Sequence, residues 1–279
     1  MLELAKVKIT FAVALTTITG YLLAGGAFDS GLILPTIGIF LLACGSSALN
    51  HYQERDKDAL MERTRNRPLP SGRAMPGFAL FYAGLLAVAG SVALWLGPGL
   101  PAMQLGLLAL IWYNGIYTPL KRRTAFAVIP GSVIGAIPPL VGWVSGGGSL
   151  LDPRAMILAF FFFIWQVPHF WLLMLKYGRE YESAGLPSLT ASYKEGQVRR
   201  MTFVWTLATA ISALMLPFFG ITVHLATSIG IALSAVWLVS AFSPLLRPVN
   251  GRFRPRPYFM KINYFVLAIL VLLSVDALV

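Results

Sequence analysis

The chain has a single cysteine, Cys44, in 279 residues, which excludes a disulfide framework and any Cys-rich metal site. Charge is scarce as well. Asp, Glu, Lys and Arg together make up 12% of the chain, half the roughly 25% usual in soluble domains. Negative charge is the scarcer sign, with 11 acidic residues against 22 basic ones. A net charge of +11 would suit a nucleic-acid partner, but such a partner calls for a polar body carrying a basic face. That polar body is missing, so nucleic acid is not expected. Low-complexity segments and strong internal repeats are missing too. In their place stand 57% hydrophobic residues and a mean hydropathy of +0.73, the composition of an integral membrane protein.

A bilayer core requires about 20 apolar residues per helix. On that criterion the sequence predicts an all-α bundle of nine spans in one membrane-embedded domain, 1–279. The spans fall at 9–28, 31–50, 77–97, 101–118, 126–146, 155–175, 201–219, 221–243 and 258–275. The first is too long for the apolar core of a signal peptide, and removing it would spoil the alternation of charge. That alternation is an independent check. With nine spans, every basic residue except Arg154 falls on one side, including Lys6, Lys8, Lys121, Arg122, Arg123, Arg199 and the group Arg247, Arg252, Arg254, Arg256 and Lys261. The positive-inside rule then puts the N-terminus in the cytoplasm and the C-terminus outside. The expected location is the bacterial inner membrane, with membrane lipid around the bundle.

The acidic residues are few enough to place individually. Glu3, Asp29, Asp152 and Asp276 lie at termini or short outer loops, and the other seven cluster in two inner loops. The first cluster contains Asn50, Glu54 and Asp58 at i, i+4 and i+8. If the second span continues as helix, each step of four drifts only about 40°, so the three share one face. Two carboxylates and an amide there can seat Mg²⁺, whose remaining positions are commonly filled by substrate phosphates and water. Arg63 and Arg67 follow at the same spacing and can bind phosphate oxygens. A solvated helix laced with ion pairs is the plainer reading of such a stretch. A second acidic loop on the same side, with Glu180 and Glu182, favours a metal-bridged diphosphate, and Lys121 and Arg122 can add cationic contacts. A diphosphate on a long lipid would keep its tail in the bundle and its head at the interface.

His169 sits inside a span, in Trp165-Gln166-Val167-Pro168-His169-Phe170-Trp171. An ionisable residue there marks a functional site by default, although a hydrogen-bonded packing histidine is the simpler account. The aromatic neighbours Trp165, Phe170 and Trp171 fit packing, an interface belt or the stacking of a flat ligand.

Asn50-x3-Glu54-Arg-Asp56-x-Asp58 followed by Arg63-Thr-x2-Arg67-Pro68 resembles the first acidic motif of the UbiA superfamily of membrane prenyltransferases. Tyr117-Thr-Pro-Leu-Lys121-Arg122, the run Gly131-x3-Gly135-Ala-x-Pro138-Pro139-x2-Gly142-Trp143, and Trp165-Gln-x-Pro168-His169-Phe-Trp171 resemble its heme-farnesylating branch. Tyr177-x2-Glu180-Tyr181-x2-Ala-Gly185-x-Pro187 resembles the second acidic motif. The likeness runs from about residue 45 to 190. Two departures stand out: Glu54 replaces the family's aspartate, and Arg179-Glu180 stands where the family usually carries two aspartates, with Glu182 as the candidate substitute.

The resemblance implies the family's nine-helix fold and a Mg²⁺-dependent transfer of farnesyl from farnesyl diphosphate to the vinyl group of heme B, with water added. Asn50, Glu54, Asp58 and Glu180 would hold the metal. Lys121, Arg63 and Arg67 would neutralise the departing diphosphate, and Tyr117 would stabilise the allylic cation or bind phosphate. Arg122, Glu182 and Trp171 are further substrate contacts. His169 can orient the heme, ligate its iron or activate the capturing water. A heme A synthase or a terminal oxidase assembly is the expected recipient of the product. The rival readings are a prenyltransferase for quinone precursors, which would not need His169; a transporter, which would show charges at mid-membrane; and a structural subunit, which would not need the Asn-Glu-Asp register.

Overall fold

The computed structural model describes residues 1–248 and 253–279, so Arg252 lies outside the described residues. Among the described residues the regular structure is entirely helical. The principal helices are α1 (Val7–Leu23), α2 (Ile33–Asp58), α3 (Pro76–Leu96), α4 (Leu100–Ile111), α5 (Val133–Ser145), α6 (Pro153–Ser183), α7 (Glu195–Phe218), α8 (Leu225–Phe242) and α9 (Arg256–Asp276). Seven helical segments are long and apolar enough to cross a membrane: Ser30–Asp58, Pro76–Leu96, Ala125–Ser145, Pro153–Ser183, Glu195–Phe218, Leu225–Leu246 and Arg256–Asp276. The expected spans at 9–28 and 101–118 fall short of that criterion. α1 has 17 residues, about 25 Å of rise against a hydrocarbon core of about 30 Å. α4 has 12 residues before the backbone passes into a π-helical stretch, Trp112–Tyr117, and a last turn, Thr118–Leu120.

Two helices are longer than hydrophobic matching requires. The 26 residues of α2 rise about 39 Å, and the 31 of α6 about 46 Å. Their polar C-terminal turns therefore project beyond the apolar zone while remaining helical. This length carries Glu54 and Asp58 on α2, and Glu180 and Glu182 on α6, to the bundle's rim.

Packing follows from small residues and aromatics. A Cβ on Gly20 of α1 would lie 2.1 Å from the Pro139 carbonyl oxygen, and one on Gly142 of α5 would lie 1.9 Å from that of Thr17. Only glycine lets these two backbones touch. Thr17 Oγ1 spans the same contact, donating to Pro138 O at 3.0 Å. The largest apolar core lies among α6, α7, α8 and α9, where Phe161, Phe162, Phe242 and Phe265 are buried. Outward-facing residues are apolar as well, including Phe81, Leu85, Val88 and Trp95 on α3, as expected when the surrounding solvent is lipid. Buried threonines on α7 satisfy their hydroxyls on the preceding turn, as Thr206 Oγ1 does on Thr202 O at 2.8 Å.

Candidate active site

α2 remains helical through Asp58, so Asn50, Glu54 and Asp58 do share a face. All three are buried and line a cavity of about 930 Å³, near the top of the roughly 300–1,000 Å³ range for small-molecule sites. Each carries a cationic partner. Lys121 Nζ pairs with Glu54 Oε1, Arg67 Nη1 donates to Asp58 Oδ2 at 2.7 Å, and Lys6 Nζ donates to Asn50 Oδ1 at 3.0 Å. The Asn50 amide also donates to Thr118 Oγ1 at 3.2 Å. Buried carboxylates are tolerable only when compensated in this way. Burial works against charge on Lys121, yet the Glu54 carboxylate holds its ammonium above the usual lysine range. Lys6 goes the other way: burial, then the neighbouring Arg67, bring its pKa down to about 7.

The π-helical stretch builds the adjoining wall. Pro119 has no N–H to give, and the wider turn before it absorbs the lost α-helical bond. Tyr113 and Tyr117 from this stretch both line the cavity, with ring centroids 5.7 Å apart, and Phe170 lies 6.3 Å from Tyr117. Asn114 ties the stretch to α2: its Oδ1 accepts from Ser46 Oγ at 2.6 Å and its Nδ2 donates to Gln53 Oε1 at 3.1 Å.

Further along the same cavity lies a second polar group. His169 stands among Trp165, Phe170 and Phe259, at centroid distances of 5.0, 5.4 and 4.7 Å. Its Nδ1 is buried without a hydrogen-bond partner, as is Gln166 Oε1. Gly135 lies opposite Gln166, where a Cβ would sit 1.8 Å from Oε1 and force the amide to turn aside. Asn263 from α9 lines this end as well. Both residues line the cavity, but these two atoms are themselves closed off from its open space, so a ligand reaches them only where the side chains turn.

The remaining expected residues are placed as follows. Arg63 and Arg67 line the cavity. Glu180 is not on its wall; its Oε2 accepts from Arg63 N at 3.1 Å, while the Arg63 guanidinium lies 4.8 Å over the Tyr177 ring. Glu182 turns to the loop, where Oε1 accepts from Ser188 Oγ at 2.5 Å and Thr190 Oγ1 at 2.7 Å. Arg122 reaches the Gln53 carbonyl. Trp171 is packed edge-on between Phe126 and Trp205. Two positions beyond His169 is about 200° around a helix, which turns Trp171 to the opposite face. Sequence reasoning missed Lys6, His51, Tyr113, Gln166 and Asn263 as cavity-lining residues. Of these, Tyr113 was within reach at four residues before Tyr117, and Gln166 at three before His169.

No group of three or more His, Cys, Asp or Glu able to hold a metal occurs among the described residues. The α2 face nonetheless fits Mg²⁺, because two carboxylates and an amide are hard oxygen donors and a diphosphate with water can complete the octahedron.

A family model described as the UbiA prenyltransferase family matches residues 13–264. The protoheme IX farnesyltransferase of Oleidesulfovibrio alaskensis is 36% identical over 279 residues, covering 99% of this chain and 96% of its own. That of Geobacter sulfurreducens is 40% identical, covering 79% and 81%. In fold, the chain resembles a structure reported for digeranylgeranylglyceryl phosphate synthase, with a TM-score of 0.78 at 19% identity, covering 99% and 97% of the two chains. It also resembles a UbiA homolog from Archaeoglobus fulgidus bound to GPP and Mg²⁺, with a TM-score of 0.71 at 12% identity, covering 99% and 98%.

Proposed function

Because the chain belongs to the UbiA prenyltransferase family, we propose that it transfers a farnesyl group from farnesyl diphosphate to a vinyl group of heme B, with water added, to give heme O. The observation that carries this reading is one cavity with two chemically distinct ends. Oxygen donors and cations suited to a diphosphate line one, and an aromatic group around His169 lines the other. Relatives across most of the chain are named for this reaction.

Asn50, Glu54 and Asp58 would hold Mg²⁺, which when bound supplies Lewis-acid charge to the diphosphate. Lys121, Arg67 and Arg63 take up the negative charge of the departing diphosphate as the C–O bond ionises and its electron pair leaves with oxygen. Tyr113 and Tyr117 line the space where the allylic cation would form, and an aromatic ring turned to it would be attractive. The farnesyl carbon bonds to the vinyl terminus, water adds to the cation left on the vinyl carbon next to the porphyrin ring, and a proton is lost. The apolar bundle keeps water from the first cation. Trp165, Phe170 and Phe259 provide flat surface for the porphyrin, with His169 beside it.

In this reading Val7–Leu23 and the run 100–120 cross the bilayer with the seven longer segments, making nine spans. The diphosphate end faces the cytoplasm of a bacterial inner membrane. The one-sided distribution of basic residues along the sequence supports that orientation.

Extracting hemes from membranes of a heme-replete host that expresses the chain tests the proposal. The expected result is a heme heavier by a farnesyl and a hydroxyl group, absent when Glu54→Ala and Asp58→Ala are combined. Well-expressed protein that yields no new heme would overturn heme as acceptor and direct attention to quinone precursors.

A further inference from the structure

Each α2 side chain assigned to the ion already holds a cation of this chain. Two of those cations, Lys121 and Arg67, sit on carboxylates. The third does not: Lys6 donates to the neutral amide oxygen of Asn50 at 3.0 Å, across 44 residues of sequence. With Lys6 protonated, the charges among these six side chains are three positive and two negative, and Lys6 supplies the surplus. Its backbone is also distinctive. Lys6 is the only non-glycine among the described residues with a positive φ, 47°, a left-handed conformation that a lysine adopts at a cost in strain. The strained backbone starts α1 at the cavity edge and directs a flexible four-carbon stem inward.

We propose that Lys6 is a diphosphate-binding residue, resting on Asn50 until substrate arrives and then moving to a diphosphate oxygen, which frees the amide oxygen for the ion. An ammonium and a divalent cation on one carbonyl oxygen compete for the same electron density and repel each other, so each weakens the other there. An anionic phosphate oxygen is a stronger acceptor for the ammonium than an amide. Lys6 therefore opposes binding of the metal alone and favours binding of the metal with diphosphate. The inference rests on the reading of the α2 face given above.

The opposed signs are the test. The full chain in lipid nanodiscs is titrated with Mn²⁺ alone, followed by electron paramagnetic resonance of the free ion, and separately with inorganic pyrophosphate in excess Mg²⁺, followed by calorimetry. Lys6→Met is expected to bind Mn²⁺ several-fold more tightly than the unaltered chain. The same variant should bind pyrophosphate roughly tenfold more weakly, the scale of one charge-assisted contact. Lys6→Arg should recover most of the pyrophosphate affinity. Misfolding would weaken both ligands together, so parallel losses, or no change in either, would overturn the proposal. Asp58→Asn separates the two levels. If that variant binds Mn²⁺ and pyrophosphate as the unaltered chain does, or if the unaltered chain binds neither, the α2 site itself is wrong and the role of Lys6 falls with it.

Discussion

The two acidic clusters look alike in sequence and end up in different surroundings. Both follow an apolar span and both are interleaved with basic residues. On α2, Glu54 and Asp58 are buried, one helical turn apart on a face that continues the cavity wall, and each meets a cation. At the end of α6, Glu180 is spent on a backbone N–H of the first loop, and exposed Glu182 on two hydroxyls. The direction a helix face points thus decides which acids reach the cavity. Acid content decides little. The proposed chemistry falls to one cluster, and the other pins the loop that carries Arg63.

That contrast breaks most sharply at Asp58. Asp58→Asn keeps the side-chain shape and removes a charge, and should lower farnesyl transfer by about 10²–10³-fold, as loss of a transition-state electrostatic contact does; steady-state turnover measures this. Next is Lys121→Met, which leaves Glu54 buried without its cation. Removing one partner of such a pair costs about 3–5 kcal/mol, so thermal unfolding in detergent should shift down markedly, with turnover falling as well. Lys121→Arg should restore much of the stability. Glu180→Gln keeps one acceptor for the Arg63 N–H, so a smaller loss is expected, about tenfold at most, appearing mainly in KM for farnesyl diphosphate. The smallest effect belongs to Glu182→Gln: about 1 kcal/mol of loop stability, detectable by proteolysis near Ser188, with turnover nearly unchanged. Equal losses at Glu182 and Asp58 would erase the distinction between the clusters.

Much of this was legible in the chain itself. Hydropathy located the helices, and the four-residue register of Asn50, Glu54 and Asp58 was enough to put them on one face once α2 continued past the lipid. Arg67 was legible as a phosphate-binding cation four residues after Arg63, but its contact with Asp58 is made from the loop after α2 ends. Lys6 was not, because its charge was fully explained by topology and nothing local links it to Asn50. Asn263 joins the His169 end from α9, nearly a hundred residues later in the chain, a proximity that only tertiary packing creates. The π-helical turn at Trp112–Tyr117 leaves no periodic trace in six residues, yet it sets the aromatic wall. Trp171 was the opposite case: its offset from His169 already turned it away from the cavity, and its aromatic character drew attention that its register did not support.

The most direct measurement is farnesyl transfer by the purified chain in nanodiscs, supplied with heme B, isotopically labelled farnesyl diphosphate and Mg²⁺, with the heme product identified by mass. The account predicts a labelled heme carrying one farnesyl and one hydroxyl group, formed by the unaltered chain and by Glu182→Gln and nearly lost with Asp58→Asn. Product formed equally by Asp58→Asn, or label appearing in no heme while Asp58-dependent diphosphate release continues, would contradict it.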